Sequence, residues 1–166
     1  MVENIMIVVS GNLITLADNG EFDIIVHGCN CMNVMGSGIA VAIRNKWPEA
    51  FYADQNFGTP GDYCKLGNFS SAEVKSKAGD LTIINAYTQY KTNNGGVIRD
   101  VFEYTSFSMI LQKLLHLHPS KRYGFPLIGC GLAGGDKIKI ISMIDDFANL
   151  VEQRNGSVTL VDFNSK

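Results

Sequence analysis

The stretch of residues 23–47 constrains the fold of this chain more than any other. It begins with a short apolar run of β-branched residues at 24–26, which is typical of a buried strand. Polar residues replace that run from His27 onward, a glycine turn follows at residues 36–38, and residues 39–46 have the pattern of a helix. Glycines let backbone approach a ligand closely, and the free amides at the start of a helix favour an anion. The sequence therefore predicts the active site in this stretch.

The composition indicates one globular domain over residues 1–166. Hydrophobic residues make up 46% of the chain and charged residues 18%, and 166 residues are enough for a well-packed core. The formal net charge of −2 provides no basic field, so we expect no bulk nucleic-acid binding. The start of the chain does not resemble a signal peptide, and no apolar run reaches membrane-spanning length. We expect a cytoplasmic protein that is a monomer and has no membrane partner.

The four cysteines are predicted to be reduced thiols, because no secretion signal is recognised. They are Cys29, Cys31, Cys64 and Cys130. His27 with the first two of them comes nearest to a zinc site. However, the chain offers no second Cys/His pair at ligand spacing. We therefore predict no metal and no cofactor.

Hydrophobic periodicity predicts an α/β domain in which helices cover a mixed sheet. The predicted helices are residues 39–47, which end before Pro48, residues 100–118, and a segment capped by Asp136 that ends at Gly156. Residues 11–13 are predicted to form a turn. The predicted strands are residues 5–10, 24–26, 67–74, 81–86, 123–128 and 157–163.

A second glycine cluster, residues 129–135, follows the strand predicted at 123–128. Both glycine clusters therefore come just after the C-terminal end of a strand, which is the edge where open α/β sheets bind ligands. Two such loops, each leading into a helix, favour a phosphate-bearing ligand. A nicotinamide-type Rossmann site fits poorly because Val41 stands where the third glycine or alanine belongs, and no Walker A pattern is present.

Along nearly its whole length the chain resembles a macro domain, the ADP-ribose-binding α/β/α module. Four motifs in the family's order carry this resemblance. They are Gly11-Asn12-Leu13, Val26-His27-Gly28-Cys29-Asn30, Gly36-Ser37-Gly38-Ile39-Ala40, and the segment 125–131 (FPLIGCG) followed by Gly134-Gly135-Asp136. The resemblance implies a three-layer α/β/α fold with a mixed, mostly parallel central sheet, and ADP-ribose or its 1''-phosphate as the ligand.

Within that family the chain is most similar to the small stand-alone ADP-ribose 1''-phosphate phosphatases of Appr-1''-p processing. The run His-x-Cys-Asn-Cys at residues 27–31 and Asn12 carry this similarity. The hydrolases that remove ADP-ribose from protein glutamate are matched less well, since their catalytic Asp falls at Ala133 and their Lys near Gln89, with Lys91 close by. The resemblance implies a phosphatase. Removal of ADP-ribose from protein or nucleic acid, and binding without catalysis, stay open.

The resemblance also implies a set of ligand contacts. The Asn12 side-chain oxygen would accept a hydrogen bond from the adenine amino group, unless it is only a turn asparagine. Phe163 would offer an aromatic face to the adenine, unless it lies in the core. Backbone amides of residues 129–134 would hold the pyrophosphate, and residues 36–39 would surround the distal ribose. The full predicted set is Gly11, Asn12, Leu13, Asn30, Gly36, Ser37, Gly38, Ile39, Ile128, Gly129, Cys130, Gly131, Leu132, Ala133 and Phe163.

Three residues are predicted as catalytic. His27 exchanges protons near neutral pH, which suits attack by water and protonation of the leaving ribose oxygen, although a histidine at a strand end is often structural. Asn30 would orient a ribose hydroxyl or a water molecule. Asp136 is a candidate base, but the sequence favours it more strongly as a helix cap.

Overall fold

The computed structural model describes residues 6–91, 101–131 and 133–163, and in this range strands and helices alternate along the chain. The strands are β1 Ile7–Ser10, β2 Ile24–Asn30, β3 Phe69–Ser76, β4 Gly79–Gln89, β5 Arg122–Phe125 and β6 Ser157–Asp162. The helices are α1 Leu13–Asp18, α2 Gly38–Lys46, α3 Pro48–Gln55, α4 Tyr104–Leu117 and α5 Lys137–Glu152, and a 3₁₀ turn covers Tyr63–Lys65.

The six strands form one sheet in the order β1-β6-β5-β2-β4-β3. Every neighbouring pair is parallel except β3 and β4, which are antiparallel. Successive side chains of β2 enter opposite sides of this sheet: Ile24 and Val26 pack in the core beneath α4 and α5, and Ile25 packs in the core beneath α1, α2 and α3. The predicted three-layer α/β/α fold with a mixed, mostly parallel sheet is therefore confirmed.

Two short helices were not predicted. α1 begins where the sequence suggested only a turn, because Asn12 caps it: the Asn12 Oδ1 accepts hydrogen bonds from the amides of Ile14 at 2.9 Å and Thr15 at 3.2 Å. α3 begins at Pro48, immediately after α2 has ended. Proline interrupts a helix interior but is well suited to the first helical position, so it starts a new helix here.

Several predicted boundaries move by a few residues. β2 runs on to Asn30 and β4 is longer at both ends than predicted, whereas β5 already ends at Phe125. Residue 5 of the first predicted strand and residue 100 of the predicted long helix lie outside the described residues. Within the described ranges, no helix is both long and apolar enough to cross a membrane.

Candidate functional site

The carboxyl ends of the parallel strands meet at one edge of the sheet, and a cleft of about 950 Å³ opens there. This volume lies in the range of small-molecule sites. Its walls come from the segments that follow β1, β2, β5 and β6, together with the start of α2. The lining residues are 12–14, 28–30, 34, 36–40, 42, 89, 126–131, 133 and 161–163.

Most of the predicted ligand contacts lie in this one cleft. Those that line it are Asn12, Leu13, Asn30, Gly36, Ser37, Gly38, Ile39, Ile128, Gly129, Cys130, Gly131, Ala133 and Phe163. Gly11 does not line it, although its amide donates a hydrogen bond to the carbonyl of the lining residue Asp162 at 3.0 Å. Leu132 lies outside the described residues. The fold thus brings both glycine clusters to a single cavity, while contact with a ligand remains a prediction.

The loop after β5 has a conformation that requires glycine. Gly129 has a φ of 75°, and a Cβ on it would lie 2.3 Å from Cδ1 of Phe102. The carbonyl of Gly129 accepts the amide of Gly135 at 2.7 Å, which closes the loop. Within the described residues, the amides of Gly129 and Gly131 make no intramolecular hydrogen bond. Free amides on such a turn bind anions.

The loop between β2 and α2 forms the facing wall and is held by Asn30. The Asn30 Nδ2 donates to the carbonyl of Val34 at 3.0 Å, and the Asn30 Oδ1 accepts from the amide of Met32 at 2.8 Å. α2 then starts at Gly38, whose φ is 59°, and Ser37 before it makes no side-chain hydrogen bond to the first turn. The amides at the start of α2 are thus left for another acceptor, which favours an anion beside this loop.

Asn12 and Phe163, the two residues predicted to contact the adenine, both line the cleft, but the side-chain oxygen of Asn12 is already occupied. Since the Asn12 Oδ1 already accepts two helix amides, the predicted bond to an adenine amino group does not fit this structure, and the role as local cap prevails. Phe163 is 72% exposed, so it is a cleft residue rather than a core residue. The carboxylate-bearing residue Asp162 lies beside it in the lining.

His27 is not in the cleft, and its predicted role as acid–base catalyst is corrected. The imidazole is completely buried between the sheet and α3, where its Nε2 donates to the Oδ1 of Asn85 at 2.6 Å. The donor assignment follows because the Asn85 Nδ2 is already donating to the carbonyl of Ala50 and the Oγ of Ser70. Burial, opposed by the Asn85 hydrogen bond, lowers the pKa of His27 to about 4. Such a group is neutral at pH 7 and has no access to a substrate.

Asp136 is likewise not among the cleft residues. It caps α5, where its Oδ1 accepts from the amides of Ile138 at 3.0 Å and Lys139 at 3.2 Å. Of the predicted catalytic side chains, the structure therefore places only Asn30 in the cleft.

The cysteines give no indication of a metal site or of a nucleophile. Cys29 and Cys130 line the cleft, and burial raises the pKa of both thiols, which disfavours the thiolate. Among residues 6–91, 101–131 and 133–163, no group of three or more His, Cys, Asp or Glu side chains is arranged to hold a metal ion.

Comparison with known proteins supports the fold. No family model matches the sequence. The chain is 28% identical over 148 residues to an uncharacterized 17.5 kDa protein of Enterobacteria phage T4 from the tk–vs intergenic region, covering 87% of this chain and 90% of that protein. It superimposes on the macrodomain of Thermus aquaticus DarG with a TM-score of 0.68 at 17% identity, covering 96% of this chain and 97% of that one. The chain has the macrodomain fold.

A second macrodomain structure, from Trypanosoma brucei, contains ADP-ribose. It matches with a TM-score of 0.63 at 14% identity over 97% of this chain and 65% of that chain. At these identities the likeness establishes the macrodomain fold, and the chemistry has to be argued from the cleft itself.

Several cleft residues of the macrodomain fold were missed by sequence reasoning. Gln89 ends β4 and Asp162 ends β6, so the strand-end rule that identified the glycine loops would also have identified them. Gly28 lines the cleft floor, where a Cβ would come 3.0 Å from the Oγ1 of Thr88. The sequence does carry a signal for Gly28, because a glycine within a buried strand often marks a close approach of backbone to a ligand.

Proposed function

We propose that the cleft binds ADP-ribose. The observation that carries this proposal is the convergence of two glycine-bearing loops on one cavity of about 950 Å³. No lysine or arginine of the described residues lines that cavity, so backbone amides and the start of α2 would neutralise the pyrophosphate. The ADP-ribose complex of the Trypanosoma brucei macrodomain supports the same ligand.

The chemistry of each wall suggests how the ligand lies. The exposed ring of Phe163 suits the adenine face, and the free amides of Gly129 and Gly131 suit the pyrophosphate. The β2–α2 loop and residues 36–39 would then surround the distal ribose.

Thermal unfolding with a panel of nucleotides tests this assignment. ADP-ribose should raise the melting temperature most, because only it fills the whole cleft. At a concentration of about 100 times its Kd it stabilises the fold by about 2.7 kcal/mol. AMP and ribose 5-phosphate should raise the melting temperature less. An equal shift with all three would argue against the assignment.

We further propose that the protein hydrolyses ADP-ribose 1''-phosphate. Water would attack the phosphorus, the bond between phosphorus and the ribose 1''-oxygen would break, and that oxygen would leave with a proton. The position of Asn30 favours this reaction. Asn30 is 7% exposed and lines the cleft beside the β2–α2 loop. Its carboxamide keeps one N–H and one lone pair to orient water or a ribose hydroxyl.

Phosphate release at saturating substrate, with EDTA present, tests the reaction. We expect turnover by the wild type, a loss of about 100-fold or more in Asn30→Ala, and near wild-type rates in His27→Gln, whose altered side chain is buried away from the cleft. A wild type that binds ADP-ribose without releasing phosphate would make this a binding module or an enzyme that removes ADP-ribose from protein or nucleic acid.

Gly38→Glu should weaken ADP-ribose binding while leaving the protein folded. A Cβ at Gly38 meets no atom within 4 Å, so the core is untouched, but the left-handed φ of 59° strains any other residue. The carboxylate would also stand near the phosphates. We expect a loss of about tenfold or more in affinity. The measurement is calorimetric titration, with Gly79→Glu on the β3–β4 turn as a matched control, because Gly79 also has a positive φ and open space around it.

A further inference from the structure

Beneath the cleft lies a buried cation that the proposed binding mode does not use. Lys65, in the 3₁₀ turn before β3, and Asp54 of α3 both have side chains that are only 1% exposed. The Lys65 Nζ lies 3.9 Å from the Asp54 Oδ1 and 4.6 Å from the centre of the Tyr87 ring. The Tyr87 hydroxyl donates to the Asp54 carboxylate at 2.8 Å.

Stability alone does not account for this pair. Burying two opposite charges costs desolvation that their attraction often only offsets, and an apolar pair of similar volume can be equally stable. The Asp54 carboxyl shows this balance, because desolvation raises its pKa even though the Tyr87 hydroxyl and the Lys65 ammonium oppose that rise.

The Lys65 ammonium reaches the loop between β2 and α2. Its Nζ donates a hydrogen bond to the Oδ1 of Asn33, a residue held in the left-handed conformation with a φ of 59°. Asparagine is one of the few residues besides glycine that adopt this conformation readily, so it suits this position of the loop. The carbonyl of Asn33 also accepts from the Nε2 of Gln55 at 2.7 Å. Both polar ends of Asn33 are thus held by side chains that do not line the cleft.

Asn33 is followed directly by residues of the cleft wall. Val34 lines the cleft, and its carbonyl accepts the hydrogen bond from Asn30, which also lines the cleft. The buried ammonium and the ligand-facing wall are therefore connected through a single residue with a constrained backbone. A change in the Lys65–Asn33 contact would move the part of the loop next to the distal ribose.

We propose that Lys65 is a positioning residue that holds the β2–α2 loop in its ligand-binding shape and so produces the preference for ligands that carry the distal ribose. This inference rests on the proposed function, because it assumes that ADP-ribose lies with its distal ribose against this loop. Asp54 holds the ammonium in place. Neither side chain touches the ligand.

The test uses a neutral replacement of the pair, Lys65→Met with Asp54→Asn. Methionine has a similar length without the charge, and asparagine can still accept from the Tyr87 hydroxyl, so no buried charge is left unpaired. A second variant, Asn33→Gly, removes the acceptor without changing the buried pair, and glycine adopts the φ of 59° without strain. The control is Lys113→Met, because Lys113, like Lys65, donates to an asparagine side chain; it also donates to the backbone carbonyl of Gly67 at 3.0 Å.

Calorimetric affinities for ADP-ribose and for AMP give the readout. We expect the Lys65/Asp54 double variant and the Asn33 variant to bind ADP-ribose about tenfold or more weakly, while their affinity for AMP stays within about twofold. The Lys113→Met control should keep both affinities. A merely structural role would lower both affinities together, or neither, and either result overturns the proposal. If the double variant does not fold, Asn33→Gly decides alone. A wild type without preference for ADP-ribose would instead refute the proposed function.

Discussion

Gly129→Ala is expected to weaken ADP-ribose binding at least about a hundredfold, which corresponds to about 2.7 kcal/mol. The added Cβ would lie 2.3 Å from the Cδ1 of Phe102, and the φ of 75° already disfavours a side chain. Phe102 is buried and packs edge-to-face against Phe107 with their ring centres 5.5 Å apart, so it has little room to yield. The backbone of the loop must move instead, and the amides that we propose to hold the pyrophosphate move with it.

Calorimetric titration of Gly129→Ala with ADP-ribose measures this effect. Gly131→Ala is the matched control two residues away, because a Cβ there meets nothing within 4 Å and Gly131 lacks a positive φ. We expect the control to keep its stability and to lose much less affinity than Gly129→Ala. A folded Gly129→Ala protein with wild-type affinity would show that this loop does not hold the pyrophosphate.

Acid is expected to destabilise the protein through His27, by about 3 kcal/mol between pH 6.5 and pH 4. Burial lowers the folded-state pKa of His27 from 6.5 to about 4. In this window the unfolded chain binds a proton that the folded chain does not, so the free energy of unfolding falls as the pH falls. Well above pH 6.5 the imidazole is neutral in both states and contributes no pH dependence.

Denaturant unfolding at a series of pH values measures this effect, with His27→Gln as the control. Glutamine can donate to the Asn85 oxygen through its amide but does not titrate. Asp54 has a raised pKa and shifts the profile in the opposite direction, but it is present in both proteins, so the difference between the two profiles isolates His27. Parallel profiles in wild type and His27→Gln would mean that the buried imidazole is not kept neutral.

The parts of the site that could be predicted from sequence are those encoded locally. The apolar run at 24–26 and the glycines at 36–38 and 129–135 specify a strand end and two ligand loops without reference to distant residues. The fold then brings these loops together because parallel strands share one edge for their carboxyl ends.

The side on which His27 lies could not be predicted in the same way. β2 is buried on both faces, so its sequence has no alternation of polar and apolar residues to show which face receives the imidazole. The answer depends on Asn85, which is 58 residues away in sequence and accepts its hydrogen bond. The same holds for the contact between Lys65 and Asn33, which are 32 residues apart in sequence.

Calorimetric titration of the wild-type protein with ADP-ribose and, separately, with AMP tests the central claim most directly. The cleft predicts a Kd for ADP-ribose in the micromolar range or tighter, about −8 kcal/mol or better, and binding of AMP that is at least about tenfold weaker because AMP leaves the β2–α2 loop empty. Equal affinity for the two ligands, or no heat of binding with ADP-ribose, would contradict the account.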